Sequence, residues 1–282
     1  MNEFGDWTPT DLLARLVAAQ VEDPEHWAAL IHEEAASLST EARIRLGAAL
    51  AQACLDGTPP AFILGKLKFL GVSLIVERGV VFPRPVTERV GTAGLAILRE
   101  LHQQPPGREL RVLDLCCGMG NLACAIGSHD PATRIWACDI SPEATALTRR
   151  NAARLGLQDR VATGTGDMFG ALAGAGLEGT VDLIVCGPPF ISTGQLDKDR
   201  AKLLQFEPRA AFDGGPYGLS IHQALINGAP AFLRPGGHLV VEAGARQSRY
   251  VCQLLERKGG YQAISGRDPV DGTEFLVQAR RD

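Results

Sequence analysis

Three acidic residues stand where apolar runs end: Asp114 in "VLDLCCGMGNLA", Asp139 in "WACDIS" and Asp167 in "GTGDMF". An ionised carboxylate only accepts hydrogen bonds, so such a trio suits a ligand rich in donors and carrying positive charge. The turn after Asp114 holds Gly118 and Gly120, where backbone can approach a ligand closely, and a helix start follows with its free N–H groups. The turn is not G-x-G-x-x-G, and a carboxylate before it would repel a pyrophosphate. Asp139 lies 19 residues beyond Gly120, near the spacing at which an acidic residue meets ribose hydroxyls. Asp167 is placed to accept from an adenine amino group, with Ile140 and Met168 as apolar faces for the ring. A single strand-end Asp is commonly a helix cap. Three at successive strand ends, for an ammonium, a ribose and an adenine, fit S-adenosylmethionine better than a dinucleotide.

A second constellation is "VDLIVCGPPFISTG", residues 181–194. Pro188 and Pro189 end the strand and stiffen the turn, because proline fixes φ and lacks an N–H. Phe190 then sets a ring at the strand exit, where open α/β sheets hold ligands. Gly187 contributes no side chain. Glu207 and Asp213 are candidates to orient an amine or act as a base, and Tyr217 to offer a hydroxyl. His222 and His238 sit in helix and strand contexts that suit core or surface roles better than catalysis.

The elements that must position these groups read as three regions. Residues 1–57 form an N-terminal helical domain of three Ala-rich helices. The first is capped by Thr8 or Thr10; the second has Asp23 as cap and Pro24 at its first position; the third ends at Gly57. This domain has ten acidic and three basic residues, a net charge of −7, which reads as a solvated face or as a surface for a partner or lid. Residues 58–87 form a hairpin linker punctuated by Gly65, Gly71 and Gly79, closing on the stiff "PRPVTERV". Residues 88–282 alternate strands with helices, with a loop at 103–109, a helix near 219–233 stopped by "RPGG", and two final strands. That alternation means a doubly wound, Rossmann-like α/β sheet.

Composition narrows the function classes. The chain of 282 residues is 45% hydrophobic and 21% charged, ordinary for a globular protein. A net charge of −4 argues against sequence-independent nucleic-acid binding. No apolar run reaches bilayer length, and the N-terminus lacks a secretory pattern. Seven cysteines without a C-x-x-C pair read as reduced, buried thiols of a cytoplasmic protein, with no metal site.

With these residues in view, the chain resembles class I S-adenosylmethionine-dependent methyltransferases, and most closely the HemK-like release-factor glutamine methyltransferases. "FILGKLKFLGVSLIVERGVVFPRPVTE", "LDLCCGMG", "EPRAAFDGGPYGL" and "LRPGGHLVVEAG" carry the resemblance over nearly the whole chain. It implies a seven-stranded sheet and S-adenosyl-L-methionine as cofactor, contacted by Asp114, Gly118, Gly120, Asp139 and Asp167, with Arg84 and Thr87 nearby. Three departures stand out: Cys116 replaces the first loop glycine, Val86 replaces a glutamate of the IPRPETE-like linker, and Gly187-Pro188-Pro189-Phe190 replaces Asn-Pro-Pro-Tyr. In the family the asparagine and a proline carbonyl hold the acceptor NH₂ while the aromatic ring packs on the amide. Gly187 cannot hold an amide. The expectation is therefore a methyltransferase with an altered acceptor pocket, acting on a small metabolite or a non-amide group. Alternatives are glutamine methylation of a release factor, cyclisation or cleavage of the cofactor to methylthioadenosine, a degenerate site, and a non-catalytic binding protein. The acceptor is a small molecule or a protein; oligomeric state is not legible.

Overall fold

The computed structural model describes residues 9–21, 23–103, 107–198, 204–244, 246–267 and 272–282. The chain divides into two compact units, the first being the described residues up to Leu67 with Ile75–Glu77, and the second Lys68–Leu74 with the described residues from Arg78 onward.

The first unit is helical: α1 (Pro9–Ala18), α2 (Pro24–Ala36), α3 (Thr40–Asp56) and α4 (Pro60–Leu64). Of the two expected caps of α1, Thr8 lies outside the described residues and Thr10 falls inside the helix. Pro24 opens α2, but Asp23 before it is left-handed and its side chain caps nothing. Ser39 caps α3 by accepting from the Ala42 N–H at 3.3 Å, and left-handed Gly57 closes it. The short α4 is unanticipated. At 5 residues it is too brief for a helical period to show, yet Pro60 starts it and left-handed Gly65 stops it.

A hairpin follows, β1 (Lys66–Phe69) and β2 (Val72–Ile75). Leu70 and Gly71 both take positive φ, the backbone a two-residue hairpin turn demands. Within the second unit the hairpin tip is tied down. The Leu70 N–H donates to Glu88 Oε1 at 2.6 Å, and its carbonyl meets His129 Nε2 at 2.8 Å.

The second unit holds helices α5 (Glu88–His102), α6 (Asn121–His129), α7 (Pro142–Arg154), α8 (Thr193–Lys198), α9 (Ser220–Phe232) and α10 (Ser248–Lys258). Its strands are β3 (Leu110–Leu115), β4 (Thr133–Asp139), β5 (Val161–Thr165), β6 (Val181–Cys186), β7 (Leu233–Glu242), β8 (Tyr261–Ser265) and β9 (Leu276–Arg281). They form one seven-stranded sheet in the order β5-β4-β3-β6-β7-β9-β8. The pairs from β5 to β7 are parallel, and β9 is antiparallel to both its neighbours. Such a sheet is covered on both faces, which explains why "VDLIVC" is buried without alternation. Leu183 and Val185 pack towards Gly94 of α5, whereas Ile184 and Cys186 join the core with Leu225 of α9 and Val251 of α10.

"RPGG" does not separate helix from strand. β7 begins at Leu233 directly after α9, and the Arg-Pro-Gly-Gly run is absorbed at its start, where the register against β6 slips between Val181 and Leu183. At this amino end of the central strand Asp182 is buried and held by Arg108, by Arg234 Nε at 2.5 Å and by the Arg111 N–H at 2.9 Å. The chain crosses from one side of β3 to the other between β5 and β6. The carboxyl ends of β3 and β6 are therefore neighbours at the switch point of the sheet, with Leu115 paired to Cys186.

Candidate active site

Two loops leave the sheet at this switch point: residues 116–120 after β3 and residues 187–190 after β6. The first is held from several sides. The Cys117 N–H donates to the Cys138 carbonyl at 2.9 Å and the Gly118 N–H to Asp139 Oδ2 at 2.8 Å. From α7, Thr148 Oγ1 donates to the Gly118 carbonyl at 3.0 Å and Asn151 Nδ2 to that of Met119 at 3.0 Å. These buried polar side chains were not singled out from the sequence. Their signal, polar residues on the inner face of a helix, becomes readable only once the loop is known to lie there. Cys116, Gly118 and Gly120 all have positive φ, the strained choice for Cys116 and the ordinary one for glycine.

Asp114 is sealed beneath this loop. Its Oδ2 accepts from the Ala123 N–H at 2.9 Å, which ties β3 to the first turn of α6, and its Oδ1 has no hydrogen-bond partner. Burial pushes its pKa up to about 8. Asp139 is partly buried and holds the N–H groups of Gly118 and Ser141, at 2.8 and 2.9 Å; burial raises its pKa against the pull of those bonds. Ile140 beside it is 61% exposed, unusual for an isoleucine. Asp167 is exposed, and its side chain caps none of the N–H groups of the helical turn that follows. Met168 has positive φ and sets its sulfur 3.7 Å from that of Cys116, so the ends of β3 and β5 meet. Asp139 and Asp167 are thus carboxylates at the ends of neighbouring strands, with the exposed Ile140 directly after the first of them.

The second loop is held by the segment that follows it in the chain. Beyond Phe190, Ile191 donates to the Phe212 carbonyl at 3.0 Å and accepts from the Gly214 N–H at 2.8 Å. Gln247 Nε2 donates to the Phe190 carbonyl at 2.9 Å. Pro188 is buried, while Gly187, Pro189 and Phe190 are partly exposed. Asp213 is committed here: it accepts from Thr193 Oγ1 at 2.7 Å, the Gly215 N–H at 3.0 Å and Arg209 Nε at 3.1 Å. These bonds hold its carboxyl below the usual range, so it braces the loop rather than serving as a base. Glu207 is buried against Arg84 at 2.6 Å and accepts from the Phe82 N–H at 3.1 Å. The pair fastens the stretch before Thr87 to the segment leading into Asp213. Tyr217 is exposed. His222 is buried, and its Nε2 donates to the Glu242 carbonyl at 2.9 Å, a core role.

One residue the sequence did not single out faces this loop. Glu242 ends β7 one position past Val241, which pairs with Cys186, so it lies level with Gly187. Its side chain is buried and hydrogen-bonded to Thr87; burial pushes its pKa up to about 7, with Thr87 and Arg84 opposing.

Comparison with known proteins adds lineage to this geometry. The methyltransferase small domain family matches residues 77–210, a span that contains both loops. The release factor glutamine methyltransferase of Cereibacter sphaeroides is 37% identical over 243 residues, 86% of this chain and 81% of that one. The protein of the same name from Geobacter sulfurreducens is 34% identical over 222 residues, 79% of this chain and 73% of that one. Among solved structures, a methyltransferase from Pyrococcus furiosus superposes with a TM-score of 0.50 at 16% identity, covering 74% of this chain and 89% of that one, a likeness of fold.

Proposed function

The chain belongs to the HemK-like release-factor glutamine methyltransferase family of class I S-adenosylmethionine-dependent methyltransferases, and from that premise we propose that its acceptor is the side-chain amide of a glutamine in a release factor. The observation that carries this reading is the 37% identity to such an enzyme over 243 residues. The small-metabolite expectation rested on Gly187, and the relatives named above, both release factor glutamine methyltransferases, give it no support. Pro188, Pro189 and Phe190 remain to present a carbonyl and a ring face to a planar amide.

S-adenosyl-L-methionine, when bound, supplies an electrophilic methyl group on a sulfonium. In the proposed site Asp139, already accepting from the Gly118 and Ser141 N–H groups, would take the ribose hydroxyls on its remaining lone pairs. Ile140 and Met168 would supply apolar contacts for the adenine, and Asp167 would accept from its amino group. Gly118 and Gly120 keep the loop backbone open to the ligand, with Cys116 tolerated at the first loop position. Asp114 acts from beneath: it holds the start of α6, and a cation over the loop favours its ionised form. Arg84 and Thr87 position the acceptor side, Arg84 through Glu207 and Thr87 through Glu242. Holding an acceptor nitrogen in line with the methyl group supplies much of the rate advantage by orientation alone.

The test is incubation of the purified protein with S-adenosylmethionine alone, then with a release factor, followed by mass spectrometry of nucleoside and protein. The expected result is S-adenosylhomocysteine only in the second tube, with one methyl group on a glutamine. Methylthioadenosine without acceptor, or a methyl group on another residue type, would sink the reading.

A further inference from the structure

Gly187 is not required by the fold. Its backbone lies outside the left-handed region, and an added Cβ would meet nothing nearer than 3.6 Å. The two atoms at that distance are Glu242 Oε2 and Thr87 Cγ2. A Cβ would sit in ordinary van der Waals contact with both, so the glycine leaves the Glu242 carboxylate without the side chain that any other residue at 187 would lay against it. Glu242 is only 5% exposed, and no ion pair to it occurs among the described residues. Thr87 and Arg84 face it from the segment before α5, Cys186 from β6, and His222 of α9 holds its main chain. A buried carboxylate without a paired cation is costly unless it is hydrogen-bonded or protonated, and Thr87 is the hydrogen-bond partner here, so this group holds a proton readily.

We propose that the Glu242 carboxylate, reached through the space at Gly187, is a catalytic residue that accepts a hydrogen bond from the acceptor nitrogen and takes the proton this nitrogen loses. The inference rests on the amide acceptor proposed above and assigns the group that replaces the missing asparagine. The balance is simple. Nitrogen gains a bond to the methyl carbon, and the carbon–sulfur bond breaks with its electron pair left on sulfur. One N–H bond breaks, its pair staying on nitrogen, and the proton passes to Glu242 Oε2 and then to water. Burial sets the carboxyl near neutrality, pKa about 7, where a general base is most effective.

The experiment uses the full chain with ¹³C-labelled glutamate carboxyls, loaded with S-adenosylhomocysteine, and propionamide as a fragment probe of the glutamine side chain. One carboxyl resonance should titrate near pH 7 and shift with propionamide in the native protein but not in Gly187→Asn, where a side chain fills the space. No shift, or an equal shift in Gly187→Asn, overturns the proposal. With a release factor, Glu242→Gln should lower kcat about 10²-fold or more and remove the rising limb near pH 7, leaving release-factor affinity within about threefold. Native-like kcat and pH profile in that variant also overturn it. If propionamide moves the resonance but no release factor is methylated, the Glu242 assignment stands and the acceptor reading alone falls.

Discussion

The two loops at the switch point differ in how tightly their glycines are held. At Gly120 an added Cβ would lie 2.6 Å from Thr148 Cγ2 and 2.9 Å from its hydroxyl, on a backbone already at φ +81°. At Gly187 the nearest atoms, Glu242 Oε2 and Thr87 Cγ2, would lie at 3.6 Å, and no unusual φ is demanded. The loop after β3 is thus over-determined by packing, by Asp139 and by two side chains of α7, whereas the loop after β6 has a position that would accept a side chain. Packed cores resist change by even one methylene, while an open position can change residue type at little cost. One scaffold can therefore hold its first loop fixed while the residue type at 187 changes.

The contrast can be broken most severely at Gly120. Gly120→Ala combines left-handed strain with overpacking and should cost about 3 kcal/mol of stability and abolish measurable cofactor binding. Denaturant unfolding and calorimetric titration with S-adenosylhomocysteine would show it, and a variant as stable and as tight-binding as the native chain would remove the distinction. Asp114 gives an intermediate effect with a definite sign. Its carboxyl is raised by burial to about 8 from an unfolded value near 3.9, so the folded state binds more protons between these limits. The stability it contributes is complete below about pH 4 and is lost as pH climbs to about 8. Asp114→Asn, whose amide oxygen still accepts from Ala123, should flatten the fall of melting temperature across that window. An unchanged slope would mean that this carboxyl is not protonated in the fold. The smallest effect is expected at the open position: Gly187→Asn should change stability by no more than about 0.5 kcal/mol and leave cofactor affinity unaltered. A large loss there, seen by thermal melting, would show the acceptor loop to be as constrained as its neighbour.

Much of the local structure around these loops is legible in the sequence because its signals are local. Strand, Asp, glycine turn and helix follow one another between 112 and 123, and each choice is dictated by residues a few positions away. Ser141 with Pro142 announces α7, and Ser141 does accept from the Ala144 N–H. Where signals were weak or competing, the reading missed. α4 was too short to display a period, Asp23 was drawn into a left-handed turn, and "RPGG" joined a strand because β6 offered it partners.

The sequence by itself determined the alternation that makes an α/β sheet, the glycine turn, the strand-end carboxylates and the Pro-Pro elbow, since each follows from the conformational limits of a short stretch. Only the tertiary structure decided which of those groups remain available. It buried Asp114 under its own loop, engaged Asp213 and Glu207 as braces, and left the Asp167 side chain exposed and capping nothing. It also brought Glu242 level with Gly187, across 55 residues of chain, because strand register in a parallel sheet is set by packing on both faces.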